Sequence, residues 1–320
     1  RQINQSYAPT YGLLMRSGLY QALLEAGQMI AHHEAELSCA ATPEAYAVIQ
    51  PERIPFVSYP YEWSFSQLKQ AALLTLAIQE QALKADLSLK DSSAYNIQFV
   101  GPRPILIDTL SFEPYVEGQP WVAYRQFCQH FLAPLALMAR RDIRLSQLLR
   151  VYIDGVPLDL AAALLPLRSR LNPGLAAHIH LHAAAQKRYA GAEAKPAQAR
   201  GGGMSKQAFT GLIESLKNTV RGLNWQPQGT EWGDYYDSTN YTRAAFDEKL
   251  AAVSRWAAQV SPAVTWDLGA NTGVFSRAAA QHSALTVAWD IDPAAVEKNY
   301  REMRKAKETL LLPLVVDLTN

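Results

Sequence analysis

VTWDLGANTGVFS, residues 264–276, runs an apolar, strand-like stretch into Asp267-Leu268-Gly269 and leaves through Gly273 into a helix-like stretch. A strand, a tight turn and a helix in that order place the turn at the carboxyl edge of a parallel sheet, where open α/β folds bind ligands. Glycines at 269 and 273 let the backbone approach a ligand, and Asn271 is one of the few non-glycine residues that tolerate left-handed geometry. The turn therefore closes without a third glycine.

The sequence continues as strand LTVAWD (285–290), helix PAAVEKNYREMRKAK (293–307) and strand TLLLPLVVDL (309–318). Strands alternating with helices of this length define a parallel α/β sheet. Asp290 ends the second strand 21 residues after Gly269, the spacing at which a carboxylate accepts both hydrogen bonds of a ribose diol. The glycine pattern is G-x-x-x-G, whereas a pyrophosphate-cradling dinucleotide site reads G-x-G-x-x-G. An acid two residues before the first glycine also suits a cationic ligand with an amino-acid tail.

DLGANTGVFS, VAWDIDPAAVEKNY and LPLVVDLTN together resemble the first three motifs of class I S-adenosylmethionine-dependent methyltransferases. The resemblance implies a Rossmann-like sheet with S-adenosyl-L-methionine as cofactor. It sets Asp267, Gly269, Ala270, Asn271, Thr272 and Gly273 against the methionine part and the ribose. It also puts Asp290 on the ribose hydroxyls beside Ile291, Asp292 as a second ribose contact, and Asp317 with Leu318 near the adenine. Asn271 stands where many members carry a middle glycine. The chain supplies only the first three strands of such a sheet, so the catalytic motif is expected beyond Asn320 and no catalytic residue is named. These residues alone are expected to be inactive, with an open apolar sheet edge that is an aggregation risk unless covered. Tyr235, Tyr236 and Tyr241 precede the motif and either stack on the cofactor or pack in the core.

Upstream, AGAEAKPAQARGGGMSKQ (190–207) replaces apolar periodicity with small residues, Pro and three glycines, and reads as a flexible linker. It divides a helix-rich α+β region, 1–189, from the α/β part, 208–320. The first region carries a long amphipathic helix over 65–85, helices over 121–153 interrupted near Pro134, and strand-like runs AYAVIQ, NIQFV and PILIDTLSF. Two helices, over 209–223 and 241–260, follow the linker. Within SLKDSSAYNIQFVGPRPILIDTLSF, the order Asp91, Asn96, Asp108 resembles the catalytic loop and metal-holding Asp of kinase-like folds. That resemblance implies ATP and magnesium, with Asp91 on an acceptor hydroxyl and Asn96 and Asp108 on the metal. Leu89-Lys90 and Thr109-Leu110 depart from the protein-kinase pattern. The ordinary alternative is that the three residues cap turns and end strands. His178, His180 and His182 (HIHLH) would share a face only in a strand, and their Ala- and Leu-rich surroundings read as helix, so no metal site is expected. His32-His33 beside Glu34 reads as solvated surface.

The bulk numbers narrow the classes. The chain has 320 residues, 49% hydrophobic and 18% charged, which is globular composition. Thirty Lys and Arg against 29 Asp and Glu leave a net charge of +1, so no global field holds nucleic acid or an anionic membrane, although a local basic patch is still allowed. Two cysteines far apart suggest a reducing compartment. No run approaches the roughly 18 apolar residues of a membrane span, and the start lacks a signal-peptide layout, so a cytoplasmic protein is expected. The first residue is Arg, and the natural start is expected upstream.

The resulting expectation is an S-adenosylmethionine-dependent methyltransferase with an unknown acceptor and an N-terminal substrate-binding or scaffolding domain. Alternatives are a kinase-like phosphotransferase or pseudokinase joined to a cofactor-binding module, and a non-catalytic interaction protein. The whole arrangement resembles bacterial methyltransferases related to nodulation proteins.

Overall fold

A computed structural model describes residues 1–184, 203–228, 230 and 242–319. Most of the 190–207 stretch, and Tyr235, Tyr236 and Tyr241, lie outside the described residues. The protein is mixed α/β. Its principal elements are β1 (Gln2–Asn4), α1 (Ala8–Arg16), α2 (Leu19–Glu25), β2 (His32–Ala35), β3 (Ala45–Pro51), α3 (Phe65–Lys84), β4 (Leu87–Leu89), β5 (Ile97–Val100), β6 (Arg103–Leu106), β7 (Phe112–Pro114), α4 (Ala133–Arg140), α5 (Leu158–Leu164) and α6 (Lys206–Gly222). They are followed by α7 (Arg243–Val260), β8 (Val264–Leu268), α8 (Val274–Ala280), β9 (Leu285–Asp290), α9 (Pro293–Ala306) and β10 (Leu311–Val315).

By contact the chain forms two compact units, neither continuous in sequence. The first comprises 1–54, 71–98 and 105–223, and the second 55–70, 99–104 and 224–320.

In the first unit β1, β3 and β2 make an antiparallel sheet in that order, packed through Ile3, Ala47 and Ile49 against Tyr11 of α1. His33 and Glu34 are exposed, as expected of solvated surface, while His32 is half-buried. Tyr20 Oη lies 2.8 Å from its Nδ1 and accepts from its backbone N–H, while Tyr11 Oη lies 3.2 Å from Nε2 and donates to Glu34. Two tyrosines thus hold the ring between the helices and the sheet. Further on, α4 is buried from Ala133 through Met138, as a helix at a core centre must be. The interruption expected near Pro134 is a wide turn over Cys128–Leu132, in which the Ala133 N–H reaches Cys128 O, five residues back. Proline, lacking an N–H and crowding the preceding turn, displaces the regular ladder.

That wide turn carries His130, 3% exposed, with an unpartnered Nδ1 and the Tyr95 ring edge-on at 6.1 Å. Burial lowers its pKa from 6.5 to about 4, against the opposing charges of Asp91 and Asp154. The folded ring stays neutral where the unfolded one binds a proton, so this contribution is complete above pH 6.5 and is lost as pH falls from there towards 4. The loss is on the order of 3 kcal/mol. Urea midpoints measured across that range should fall with pH in the native protein and fall less steeply in His130→Gln.

In the second unit β10, β9 and β8 lie side by side in that order, all parallel. Helix α8 connects β8 to β9, and α9 connects β9 to β10. Segments 55–70 and 99–104 complete the packing: Phe56 meets Trp289 edge-on, Trp63 meets Phe99, and Phe99 meets Tyr300 of α9. The Tyr300 hydroxyl donates to Pro102 O at 2.9 Å. Glu297, wholly buried, accepts from the backbone N–H and hydroxyl of Ser66 and from Arg301. Among the described residues β8 pairs only with β9, and Val264, Trp266 and Leu268 are exposed at alternate positions along it. The amphipathic pattern of α7 suggests a buried stripe, but none of its residues is buried.

Candidate cofactor site

The strand order brings the turn after β8 beside the ends of β9 and β10. Gly269, Asn271 and Gly273 all take positive φ, +82°, +50° and +81°. The N–H groups of Gly269 and Ala270 both donate to Trp289 O at 2.9 Å, and Gly273 N–H returns to Ala270 O. Asn271 tolerates its geometry by accepting the Thr272 N–H on its own Oδ1 at 2.8 Å.

Asp290, 8% exposed, joins the three strand ends. Its Oδ2 accepts the Asn271 N–H at 2.7 Å and its Oδ1 accepts the Asp292 N–H at 2.8 Å, while its carbonyl accepts from Val316. Each carboxylate oxygen retains acceptor capacity for a further donor. Asp292 has a different duty: its Oδ1 caps α9 through the N–H groups of Ala294 and Ala295. Asp267 accepts from Ser276 Oγ at 2.6 Å. Burial raises its pKa, the Ser276 hydrogen bond lowers it, and the charge of Asp290 raises it again. Asp317 holds Thr319 through two hydrogen bonds, and Ile291 and Leu318, at the ends of β9 and β10, are exposed. The structure therefore gathers Asp267, the 269–273 turn, Asp290 and Asp292, with Asp317 at the end of the next strand.

Sequence reading missed the residues that brace the turn. Arg277 donates to the carbonyls of Thr272, Gly273 and Asn299 and pairs with Glu308. Its place one helical turn after Gly273 was the available signal. Asn299 is buried with both side-chain polar atoms unpartnered, and a Cβ at Gly273 would lie 2.4–2.6 Å from it. A Cβ at Gly269 meets nothing within 4 Å. The two glycines should thus respond differently. Gly269→Ala costs only left-handed strain, about 1–2 kcal/mol, whereas Gly273→Ala adds a clash worth about 1–3 kcal/mol more. Chemical denaturation should rank them so, and Asn299→Gly should recover part of the Gly273→Ala loss but none of the Gly269→Ala loss.

Of the kinase-like residues, Asn96 donates to Ser111 Oγ at 3.2 Å and Ser111 donates to Asp108 at 2.9 Å, so one hydroxyl joins the pair. Asp108 also pairs with Arg1. Asp91 instead accepts from Ser93 N–H and Gln126, and among the described residues no hydrogen bond links it to the pair. His178 bonds Tyr124 and Ser215, and His180 bonds Ser169. No group of three His, Cys, Asp or Glu residues able to hold a metal occurs among the described residues, and no described helix is long and apolar enough to cross a membrane.

At the level of class, this is a mixed α/β protein whose parallel strands end in a glycine turn closed by a buried carboxylate. Compared with curated proteins, the chain is similar to the nodulation protein NoeA of Rhizobium meliloti (strain 1021), with 35% identity over 277 residues. The alignment covers 85% of this chain and 58% of that protein, so the chain spans less than two thirds of its relative's length. The similarity supports a relationship to nodulation proteins. No family model matches, and no solved structure matches.

Proposed function

We propose that the second unit binds S-adenosyl-L-methionine in a Rossmann-like sheet and that the full-length protein is a methyltransferase. The observation that carries this reading is the Asp290 carboxylate, fixed at the end of β9 by two backbone N–H groups at 2.7 and 2.8 Å, one from the turn after β8. A nucleoside diol placed over that edge finds an oriented charged acceptor. Exposed Ile291 and Leu318 offer apolar surface for the adenine. Asp267, half-buried and one strand over, suits the ammonium of an amino-acid tail. These residues fit the cofactor, which when bound supplies an electrophilic methyl group. Transfer needs chiefly alignment of donor and acceptor, and the protein residues named here orient the donor.

A second reading rests on Ser111, which brings Asn96 and Asp108 together: the first unit holds magnesium-bound nucleotide. Magnesium-dependent ATP binding that Asp108→Ala abolishes supports it. The first reading is tested by calorimetric titration of S-adenosylhomocysteine into the full-length protein. Micromolar binding is expected, and no heat from a well-folded sample overturns the assignment.

A further inference from the structure

The net charge of +1 hides an uneven surface. In the first unit the sequence Leu167-Arg168-Ser169-Arg170-Leu171 forms a single tight helical turn after Pro166. Its middle residue points inward: Ser169 is buried and its Oγ lies 2.8 Å from His180 Nε2. The other four side chains are thereby turned out. Leu167 is 79% exposed and Leu171 85%, and nearby Leu181 is 66% exposed. A cleft of about 490 Å³ is lined by Arg170, His180 and Leu181 together with Asp159. A second cleft of about 340 Å³ is lined by Arg140, Arg168 and Leu171. None of Arg140, Arg168 and Arg170 has an ion pair among the described residues. Other arginines do pair, Arg144 with Asp142 and Arg277 with Glu308, whereas Asp159, which lines the cleft of Arg170, makes no ion pair with it.

We propose that the Leu167–Leu171 turn is a membrane-surface anchor, which inserts its leucines among the acyl chains of an anionic lipid layer and sets Arg140, Arg168 and Arg170 against the phosphate headgroups. The chemistry is that of interfacial binding, where apolar and basic side chains lie side by side on an exposed element. Arginine suits it because its stem lies along apolar material while the guanidinium stays at the polar level. An acidic protein partner would have to set a carboxylate against each of three separate guanidiniums, whereas an anionic lipid layer offers phosphates across the whole surface. No membrane span is required, in keeping with the described helices.

The test is flotation of the full-length protein with vesicles of phosphatidylcholine alone or mixed equally with phosphatidylglycerol, at low and high salt. Association with the mixed vesicles only, weakened by salt, is expected. Arg168→Ala with Arg170→Ala should weaken it roughly thirtyfold, from about 1 kcal/mol per basic residue near an anionic surface, and Leu167→Asp with Leu171→Asp should abolish it. All four side chains are exposed, and unchanged melting and circular dichroism would show the variants folded. Failure to float with anionic vesicles, equal flotation with phosphatidylcholine alone, or indifference to both double variants overturns the proposal.

Discussion

Asp290→Ala should lower the affinity for S-adenosylhomocysteine at least about a hundredfold, since two charge-assisted hydrogen bonds to a diol contribute about 1.5–3 kcal/mol each. The loss has a second origin in the protein itself. Without the carboxylate, the Asn271 and Asp292 N–H groups lose their acceptors, and the turn that frames the site loses its tie to β9. Asp290→Asn separates the two effects: its amide oxygen can still accept from one N–H, so the turn is partly held while the charge is gone. Calorimetry on both variants, alongside their melting curves, should show alanine losing binding and stability and asparagine losing mainly binding. Full affinity in Asp290→Ala would remove the basis of the cofactor reading.

Glu297→Ala should be the most destabilising single change in the second unit, by about 3–5 kcal/mol. The carboxylate is wholly buried and accepts from Ser66 N–H at 2.9 Å, from Ser66 Oγ and from Arg301 Nε at 2.6 Å. Truncation leaves two donors at the start of α3 without an acceptor and empties a packed site. Glu297→Gln keeps the shape and one acceptor oxygen, so it should cost roughly half as much. Urea unfolding followed by tryptophan fluorescence would measure both, and a loss below about 1 kcal/mol in the alanine variant would contradict the role given to this residue.

The second unit's strands and helices were legible because their apolar periods are clean: β9 occupies residues 285–290 and α9 begins at Pro293, as the alternation requires. The left-handed turn was legible because only Gly and Asn populate it easily, and all three such positions take positive φ. The division of labour between Asp290 and Asp292 was not, because two carboxylates two residues apart look alike until one is seen capping a helix. Arg277, Asn299 and Glu308 escaped for a related reason: their partners lie on other elements, and spacing along a chain does not report them. Helix α7 misled in the other direction, since its amphipathic pattern promises burial that no described residue supplies. The largest gap was the membership of 55–70 and 99–104 in the second unit. Neither composition nor periodicity encodes a contact as distant as that of Ser66 with Glu297.

That last contact also sets a clock for synthesis. Ser66 leaves the ribosome 231 residues ahead of Glu297, and Pro102 leaves 198 ahead of Tyr300. At about 5–20 residues per second, the earlier segments wait on the order of 10–50 s for their partners. During that interval Phe56, Trp63 and Phe65 have no finished sheet to cover, and the nascent chain carries an aromatic cluster suited to a chaperone that binds extended apolar segments. The packing of these early segments in the second unit is therefore completed only after α9 has emerged.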